Sequence, residues 1–308
     1  MSFKSKSTLS SLRISTTNIR GLGVGGPNEG KKLNCLLDLK TDLTVITDSH
    51  ADLTKLNSLK SNNRQLLSQY DLIGHNSLKR GVTVMIKRSS GCTVEKYTEL
   101  DCTDTLAFNL VCPDNTVIYI IACYAPSDKD NPDYWDAVYE YYMNSNEDYK
   151  LILGDYNCTL NHRLDSRGYD TDPHKKCRQR INQWLENGTC CDTYRDFHPN
   201  KVGYTFRTKN LKKQARLDYI LTSPQLISKV KEIKNVPQTC TDHSSVIMSV
   251  DFNCAERGPG VYRCPPHLHK DHMYQQHMKD TVRSTLLEHL SDSKESNLER
   301  ALFSTRLA

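Results

Sequence analysis

Polar side chains stand at or near the ends of several short apolar runs in this sequence. Carboxylates, carboxamides, one phenol and two imidazoles make up the set: Asn18, Asp48, His50, Tyr124, Asp155, Asn157, Asp218, Asp242 and His243. If the runs are strands of buried sheets, their ends bring these side chains to one rim. Oxygen ligands, a base and an imidazole are what metal-assisted hydrolysis requires. The set therefore predicts a hydrolase.

Each motif in this set also has a purely structural explanation. Gly154-Asp155-Tyr156-Asn157 could be a turn, because Gly, Asp and Asn tolerate turn geometry. Asp242-His243-Ser244 could cap a helix or form a satisfied buried pair. Asn18 could be an ordinary loop entry, and Tyr124-Ala125-Pro126 could end a strand, because proline cannot donate to a sheet. Taken one at a time, the motifs leave both alternatives open.

A run of positive charges without a negative one lies between Phe206 and Asp218, namely Arg207, Lys209, Lys212, Lys213 and Arg216. The net charge of the chain is only +5, which is too small to indicate a nucleic-acid partner. Such a run is more often a solvated loop than a phosphate-binding surface. The charges alone do not decide between the two.

Apolar runs predict the strands that would position these side chains, at residues 12–14, 43–46, 81–86, 116–122, 151–153, 204–206, 217–221 and 245–250. Helix-compatible segments lie between them, at 31–40, 132–143 and 174–186. The continuous apolar run at 116–122 indicates a strand covered on both faces. The mixture predicts an α/β domain with helices packed outside the sheets.

Composition limits the class of protein. Of the 308 residues, 37% are hydrophobic and 25% are charged, as in ordinary globular proteins. No stretch approaches the roughly 18 apolar residues of a membrane helix, and the polar N-terminus lacks the apolar part of a signal peptide. We therefore expect an intracellular protein without a membrane span. Its twelve cysteines contain no Cys-x-x-Cys pair and are expected to be reduced, mostly buried thiols.

Three segments are expected along the chain: a flexible N-terminus at 1–11, the α/β domain at 12–254, and a polar helical tail at 255–308. Gly258-Pro259-Gly260 and Pro265-Pro266 mark the boundary. The nearest approach to a zinc cluster lies there, but its cysteine spacing fits no familiar zinc module: Cys254, Cys264, His267, His269 and His272.

The order of the motifs carries more information than any one of them. They are Thr17-Asn18-Ile19-Arg20-Gly21, Val45-Ile46-Thr47-Asp48-Ser49-His50, Gly81-Val82-Thr83-Val84, Tyr124-Ala125-Pro126, Gly154-Asp155-Tyr156-Asn157, Tyr204-Thr205-Phe206, Arg216-Leu217-Asp218-Tyr219-Ile220 and Thr241-Asp242-His243-Ser244. In this order they resemble the endonuclease/exonuclease/phosphatase superfamily. Tyr124-Ala125-Pro126 and Thr205-Phe206 are similar to its apurinic-endonuclease and retrotransposon branch. The segment from Gly258 to Arg263 is similar to the linker of LINE-type (non-LTR) polyproteins, in which a reverse transcriptase would follow.

The resemblance implies a four-layered α/β sandwich, with two mixed sheets face to face and helices outside. It also implies roles for the polar residues. Asp155 would orient or deprotonate the attacking water, and Asn157 would donate to the phosphate. His243 would hydrogen-bond the scissile phosphate, with Asp218 fixing its tautomer.

Asn18, Asp48 and Asp242 look like metal ligands in this resemblance, and hard oxygen ligands favour Mg²⁺, with Mn²⁺ as the alternative. Position 48 departs from the family, which normally has glutamate there. Aspartate keeps the charge but shortens the side chain by one methylene. We therefore expect weaker metal binding.

The basic run corresponds in the resemblance to a hairpin loop that approaches the minor groove of DNA. The residues expected to contact DNA are Tyr124, Thr205, Arg207, Lys209, Lys212, Lys213 and Arg216.

The resulting prediction is a Mg²⁺-dependent endonuclease, acting as a monomer, that nicks one strand of double-stranded DNA to prime reverse transcription. Its expected location is the nucleus, after synthesis in the cytoplasm. One alternative is a nuclease or phosphatase of the same superfamily that acts on abasic DNA, RNA or a small phosphate ester. Another is a decayed DNA-binding relic in which Asp48 no longer holds metal.

Overall fold

The computed structural model describes residues 11–74, 80–100, 104–171, 173–252 and 272–292. The chain divides into two compact units, Met1–Glu256 and Arg257–Ala308. In the second unit, the described residues form a helix at His272–Asp292. Residues 1–10 of the expected N-terminal segment and the proline- and glycine-rich boundary lie outside the described residues, as do Cys254, Cys264, His267 and His269. None of the described helices is long and apolar enough to cross a membrane.

The described strands are β1 Leu12–Asn18, β2 Leu43–Thr47, β3 Tyr70–Gly74, β4 Val82–Lys87, β5 Thr93–Glu99, β6 Thr105–Val111, β7 Val117–Tyr124, β8 Tyr149–Asp155, β9 Ser166–Arg167, β10 Cys191–Asp192, β11 Phe206–Arg207, β12 Gln214–Ala215, β13 Asp218–Thr222, β14 Val230–Pro237 and β15 Ser244–Val250. The described helices are α1 Glu29–Leu37, α2 Leu53–Asn62, α3 Arg64–Leu67, α4 Pro132–Asn144, α5 His162–Asp165, α6 Lys175–Glu186, α7 Thr193–Phe197, α8 Pro224–Ile227 and α9 His272–Asp292, with a 3₁₀ turn at Arg88–Ser90.

Two six-stranded mixed sheets form the centre of the first unit. The first sheet has the order β14-β15-β1-β2-β4-β3, and the second has the order β10-β13-β8-β7-β6-β5. One pair of neighbours is parallel in each sheet, β1 with β2 and β7 with β8, and the other pairs are antiparallel. A small third sheet, β11-β12-β9, carries a hairpin at 206–215. This hairpin is called the basic hairpin below.

The apolar side chains form three layers of packing. Between the sheets, Val45 and Val84 of the first pack in one cluster with Ile120 and Leu153 of the second. Helices α4 and α6 cover the outer face of the second sheet with side chains such as Trp135 and Trp184, and α1 and α2 cover the outer face of the first. Because each apolar face is buried against another layer, the arrangement has four layers. The predicted fold class is confirmed.

The predicted elements are present, with ends that differ by a few residues. Strand 204–206 is displaced to Phe206–Arg207, and helix 31–40 lies at Glu29–Leu37. The strands that were not predicted from the sequence are β3, β5, β6, β14 and the two-residue strands β9, β10 and β12. Strand β5 is an almost fully exposed edge strand, so its sequence lacks the apolar alternation of a half-buried strand. The described cysteines are free thiols, buried or half-buried.

Candidate active site

The ends of strands from both sheets meet at one rim of the sandwich. Asn18 ends β1 in the first sheet, whereas Tyr124 and Asp155 end β7 and β8 in the second. Asp218 begins β13 directly opposite Asp155, and His243 precedes β15. A hydrogen bond links the two sheets here, because the Asn18 amide donates to Asp155 Oδ2 at 2.8 Å. The structure therefore brings together polar residues that are far apart in the sequence.

Asp155 lies at the centre of this site and is 1% exposed. Its other oxygen, Oδ1, accepts the backbone N–H of Asn157 at 2.9 Å, so both oxygens are held by donors. The preceding Gly154 is required by the sheet, because a Cβ there would lie 1.8 Å from the Cys123 carbonyl oxygen. This close approach of the β7 backbone fixes where β8 delivers the Asp155 carboxylate.

His243 and Asp218 form a buried pair beside Asp155. His243 Nδ1 lies 2.8 Å from Asp218 Oδ2, which leaves Nε2 for a ligand. Asp218 is itself positioned by Thr205, whose Oγ1 accepts the backbone N–H groups of Leu217 and Asp218 at 2.9 and 3.0 Å. The carboxylate therefore holds the imidazole in one orientation.

Burial and mutual charge perturb the protonation of these groups. Burial, followed by the nearby Asp218 carboxylate, raises the pKa of Asp155 to about 7. Burial opposes the charging of the His243 imidazole, but the Asp218 carboxylate outweighs it and raises the pKa of His243 to about 9. Burial and then the charges of Asp48 and Asp155 raise the pKa of Tyr124 well above its ordinary value, so its phenol stays protonated at neutral pH.

The donor set fits a divalent cation. Ligand atoms of Asp155, Asp218 and His243 all lie within 4.8 Å of one another. Among the described residues Asp218 Oδ1 is buried and has no hydrogen-bond partner, so this carboxylate oxygen is free to take a ligand. Asn18 and Asp48 line the recess beside this group and add further oxygen atoms.

Two nitrogen-bearing side chains, those of His50 and Arg20, contact the carboxylates at the outer part of the site. His50 Nε2 lies 2.9 Å from Asp48 Oδ1, and the Arg20 guanidinium pairs with Asp242 Oδ2. Arg20 belongs to a motif quoted above but received no role from the sequence, because a lone arginine in a loop carries no local signal. Its partner Asp242 is 222 residues away along the chain.

The site opens into a recess of about 360 Å³. Seven of the residues that were predicted for the site line this recess: Asn18, Asp48, Tyr124, Asp155, Asn157, Asp242 and His243. The lining also includes Arg20, Tyr169, Phe206 and Leu217. Tyr169 and Leu217 were not expected at the site, because Tyr169 lies outside the apolar runs and Leu217 is an apolar residue within one of them. The Asn157 amide donates one N–H to the Ala125 carbonyl at 2.8 Å, which orients it at the recess wall.

A groove continues from the recess toward the basic hairpin. Arg20, Phe206, Asp242 and His243 line both cavities, and Lys209 lines the far end of the groove. Lys209, Lys212 and Lys213 are exposed, with Lys213 Nζ lying 5.4 Å from the centre of the Tyr169 ring. The positively charged surface that was expected beside the site is therefore present at these three lysines.

Two residues expected to contact DNA are placed elsewhere, and those predictions are wrong. Arg216 is 1% exposed and forms ion pairs with the buried Asp165 and Asp192, so its guanidinium cannot reach a phosphate. Thr205 is fully buried, and its hydroxyl oxygen accepts the backbone N–H of Leu217, directly before β13. Arg207 is half-buried and donates to Ser244 Oγ at 2.9 Å, so its guanidinium is partly engaged within the protein.

A second group of metal-type ligands lies at the start of α6. Ligand atoms of Asp130, His174 and Cys177 come within 4.8 Å of one another. Both Asp130 oxygens already accept backbone N–H groups, from Lys176 at 2.8 Å and from Cys177 at 2.9 Å. These bonds satisfy donors that the helix itself leaves free, so capping of α6 explains the group.

Comparison with known proteins agrees with this geometry. The sequence model of the endonuclease/exonuclease/phosphatase family matches residues 37–243. An apurinic (AP) endonuclease from Leishmania major has a similar structure, with a TM-score of 0.62 at 16% identity over 79% of this chain and 88% of the other. An AP endonuclease from Archaeoglobus fulgidus gives a TM-score of 0.62 at 17% identity over 78% and 99% of the two chains.

A 3' phosphatase from Neisseria bound to a product DNA hairpin is also similar, with a TM-score of 0.61 at 18% identity over 78% of this chain and all of the other (100%). At these identities the structural likeness shows the fold alone. The family match covers most of the chain, including most of the strand ends that form the site. The chain therefore belongs to the endonuclease/exonuclease/phosphatase family.

Proposed function

We propose that the protein is an endonuclease that requires a divalent metal ion and nicks one strand of double-stranded DNA. One observation carries this proposal. The buried Asp155, Asp218 and His243 group opens into a recess that continues along a groove to the exposed lysines of the basic hairpin. A small phosphate ester would need only the recess, whereas a long polyanion would also use the lysines.

The protein side chains supply most of the chemistry in this proposal. His243 is protonated at neutral pH and can donate from Nε2 to the scissile phosphate, because Asp218 holds Nδ1. Asp155 can orient a water molecule and accept its proton. The protonated Tyr124 phenol can donate to a phosphate oxygen. Asn18, Asp48 and Asp242 would hold a Mg²⁺ ion, and the chemistry that such an ion supplies when bound is neutralisation of charge on the phosphate oxygens.

The proposed biological setting is target-primed reverse transcription by a LINE-type element, with the nick made in the nucleus by a single copy of the chain. The support for this setting is the sequence: Tyr124-Ala125-Pro126, Thr205-Phe206 and the segment from Gly258 to Arg263 resemble that branch. The DNA hairpin bound by the Neisseria phosphatase supports DNA as the substrate class.

Nicking of supercoiled plasmid in the presence of Mg²⁺ and of Mn²⁺ tests the proposal. Asp155→Ala and His243→Ala should each lower the nicking rate by about 10²-fold or more, because each removes a group that acts in the transition state. DNA affinity should change little. Asp71→Ala is the matched control, since Asp71 is an exposed carboxylate that pairs with Arg88 at the surface.

Parallel substrates separate the alternatives. Abasic duplex, a 3'-phosphorylated hairpin, RNA and inositol phosphate are assayed under the same conditions. Faster turnover of any of these than of plasmid would replace the proposed substrate by that one. A wild-type protein that binds DNA but processes none of them would indicate the decayed relic. Near-normal nicking by Asp155→Ala would remove Asp155 from the catalytic group.

A further inference from the structure

We infer that Arg20 binds a phosphate of the DNA substrate and that its ion pair with Asp242 couples DNA binding to metal binding. The inference rests on the proposed function, because it assigns a substrate contact at the same site.

The first observation concerns the backbone of Arg20, which is held rigidly. Arg20 has a φ of +51°, a left-handed conformation that is costly for a residue other than glycine. The Lys32 ammonium donates to three successive carbonyls, those of Ile19 at 3.0 Å, Arg20 at 2.7 Å and Gly21 at 2.5 Å. The Arg20 N–H donates to Asn18 Oδ1 at 3.0 Å. The surrounding structure therefore maintains a strained conformation at a residue whose side chain is not needed for packing.

The second observation is where the side chain lies. The Arg20 side chain is 63% exposed and lines both the catalytic recess and the groove that leads to Lys209. A strand of DNA with one phosphate at His243 and another at the basic hairpin would cross this position. A guanidinium carries five N–H donors in a planar fork that matches a phosphate. In the described structure only the bond to Asp242 occupies this fork.

The pairing with Asp242 has a consequence for the metal site. A carboxylate bound to a guanidinium attracts a divalent cation less strongly, because its charge is already neutralised. When a DNA phosphate takes up the guanidinium, Asp242 is released to act on the metal ion. DNA should therefore raise the metal affinity, and by linkage the metal should raise the DNA affinity by the same factor.

The alternative is an ordinary surface ion pair with no role in binding. Arg88 and Asp71 provide such a pair in this protein, with an N–O distance of 2.8 Å and side chains that are 59% and 53% exposed. Neither residue lines the recess or the groove. Arg88→Ala is therefore the matched control for Arg20→Ala, because it removes an equally exposed arginine and frees an exposed carboxylate.

Mn²⁺ binding measured by electron paramagnetic resonance tests the inference without relying on catalysis. The measurements use the full chain in a His243→Ala background, which suppresses nicking. His243 is a hydrogen-bond donor in the proposed mechanism, so this background keeps every oxygen ligand of the site, namely Asn18, Asp48, Asp155, Asp218 and Asp242. Without DNA, Arg20→Ala should bind Mn²⁺ at least about 5-fold more tightly than its parent. Adding a short duplex should raise the Mn²⁺ affinity of the parent by a larger factor than that of Arg20→Ala, in which only the direct contact between phosphate and metal remains.

DNA binding in EDTA gives an independent readout. Arg20→Ala should weaken binding and reduce the slope of log affinity against log salt by about one unit, as expected when one phosphate is no longer neutralised by the protein. Arg20→Lys keeps the charge and should retain most of that slope. Arg88→Ala should match its parent in every measurement.

Equal Mn²⁺ affinities for Arg20→Ala and its parent without DNA, or DNA-induced tightening that is as large in Arg20→Ala as in its parent, would overturn the coupling. An unchanged salt slope would overturn the phosphate contact. Loss of Mn²⁺ binding in Arg20→Ala would show that Arg20 supports the metal site instead of competing with it. Failure of the wild-type protein to nick plasmid would reject the proposed function separately, since the coupling is read from binding alone.

Discussion

Replacing Arg216 should lower the free energy of unfolding of the protein. It should not affect DNA binding directly. Its guanidinium donates to both oxygens of Asp165 at 3.0 and 2.9 Å and to both oxygens of Asp192 at 2.8 and 2.5 Å. The side chain is only 2% exposed, and it lies over the rings of Tyr219 and Tyr194 at 4.4 and 5.4 Å. Every nitrogen of the guanidinium therefore donates to a carboxylate, in a side chain that is almost closed off from water.

The expected loss of stability follows from the buried carboxylates that remain when the guanidinium is removed. Arg216→Met keeps a long, unbranched side chain but removes the guanidinium. Asp192 then loses its buried cation, whereas Asp165 keeps a hydrogen bond from Arg195 at 2.6 Å. Removing one partner of a buried ion pair typically costs about 3–5 kcal/mol, against a total stability of about 5–15 kcal/mol. Arg216→Lys should cost less, because it keeps the charge but not the fork. Asp192→Asn in the Arg216→Met background should recover part of the loss.

Urea unfolding monitored by the fluorescence of the buried Trp135 and Trp184 measures these costs. Arg88→Met is the control, because Arg88 forms an exposed pair that should contribute less than about 1 kcal/mol. The salt dependence of DNA binding is then measured at a temperature where each variant is folded. A stability of Arg216→Met within about 0.5 kcal/mol of the wild type, together with a salt slope reduced by about one unit, would refute the structural role.

Three further predictions concern the site and its charges. Replacing Lys209, Lys212 and Lys213 together by alanine should weaken DNA binding and flatten its salt dependence by up to about one unit for each phosphate that these lysines neutralise; an unaltered slope would make the basic hairpin a solvated loop. Asp48→Glu should raise Mg²⁺ affinity and the nicking rate, because the longer side chain can reach the ion directly. Mn²⁺ should partly rescue nicking by the wild-type protein. Equal nicking rates for the two proteins across titrations of both metals would contradict this expectation. In metal-free protein, the raised pKa of His243 stabilises the fold fully below its ordinary value of 6.5, and this stabilisation is lost as the pH rises through about 9. His243→Gln should therefore reduce the fall in unfolding free energy between these pH values, and an unchanged pH dependence would show that the imidazole titrates normally.

The sequence alone identified the strands that border the site and the polar residues at their ends, because both are local properties. An apolar run of four to eight residues predicts a buried strand, and a carboxylate or amide directly after it is visible by position. Asn18 and Asp155 were found in this way, and His243 was found because it directly precedes the last strand. The structure places all three at the same recess. The order of the motifs then indicated the family, which in turn supplied the packing of the two sheets.

Only the tertiary structure decided which charges are exposed. Arg216 stands in a run of basic residues, so its neighbours in sequence suggest a charged surface. Its partners Asp165 and Asp192 are 51 and 24 residues away, and they meet it only after β13 packs beside β8 and β10. Arg20 shows the same dependence in the opposite direction, since its pairing with a residue 222 positions away turns an unremarkable loop arginine into part of the site. Burial and ion pairing depend on contacts between segments that are distant in the sequence. These contacts form only when the chain folds, so the local pattern of residues does not predict them.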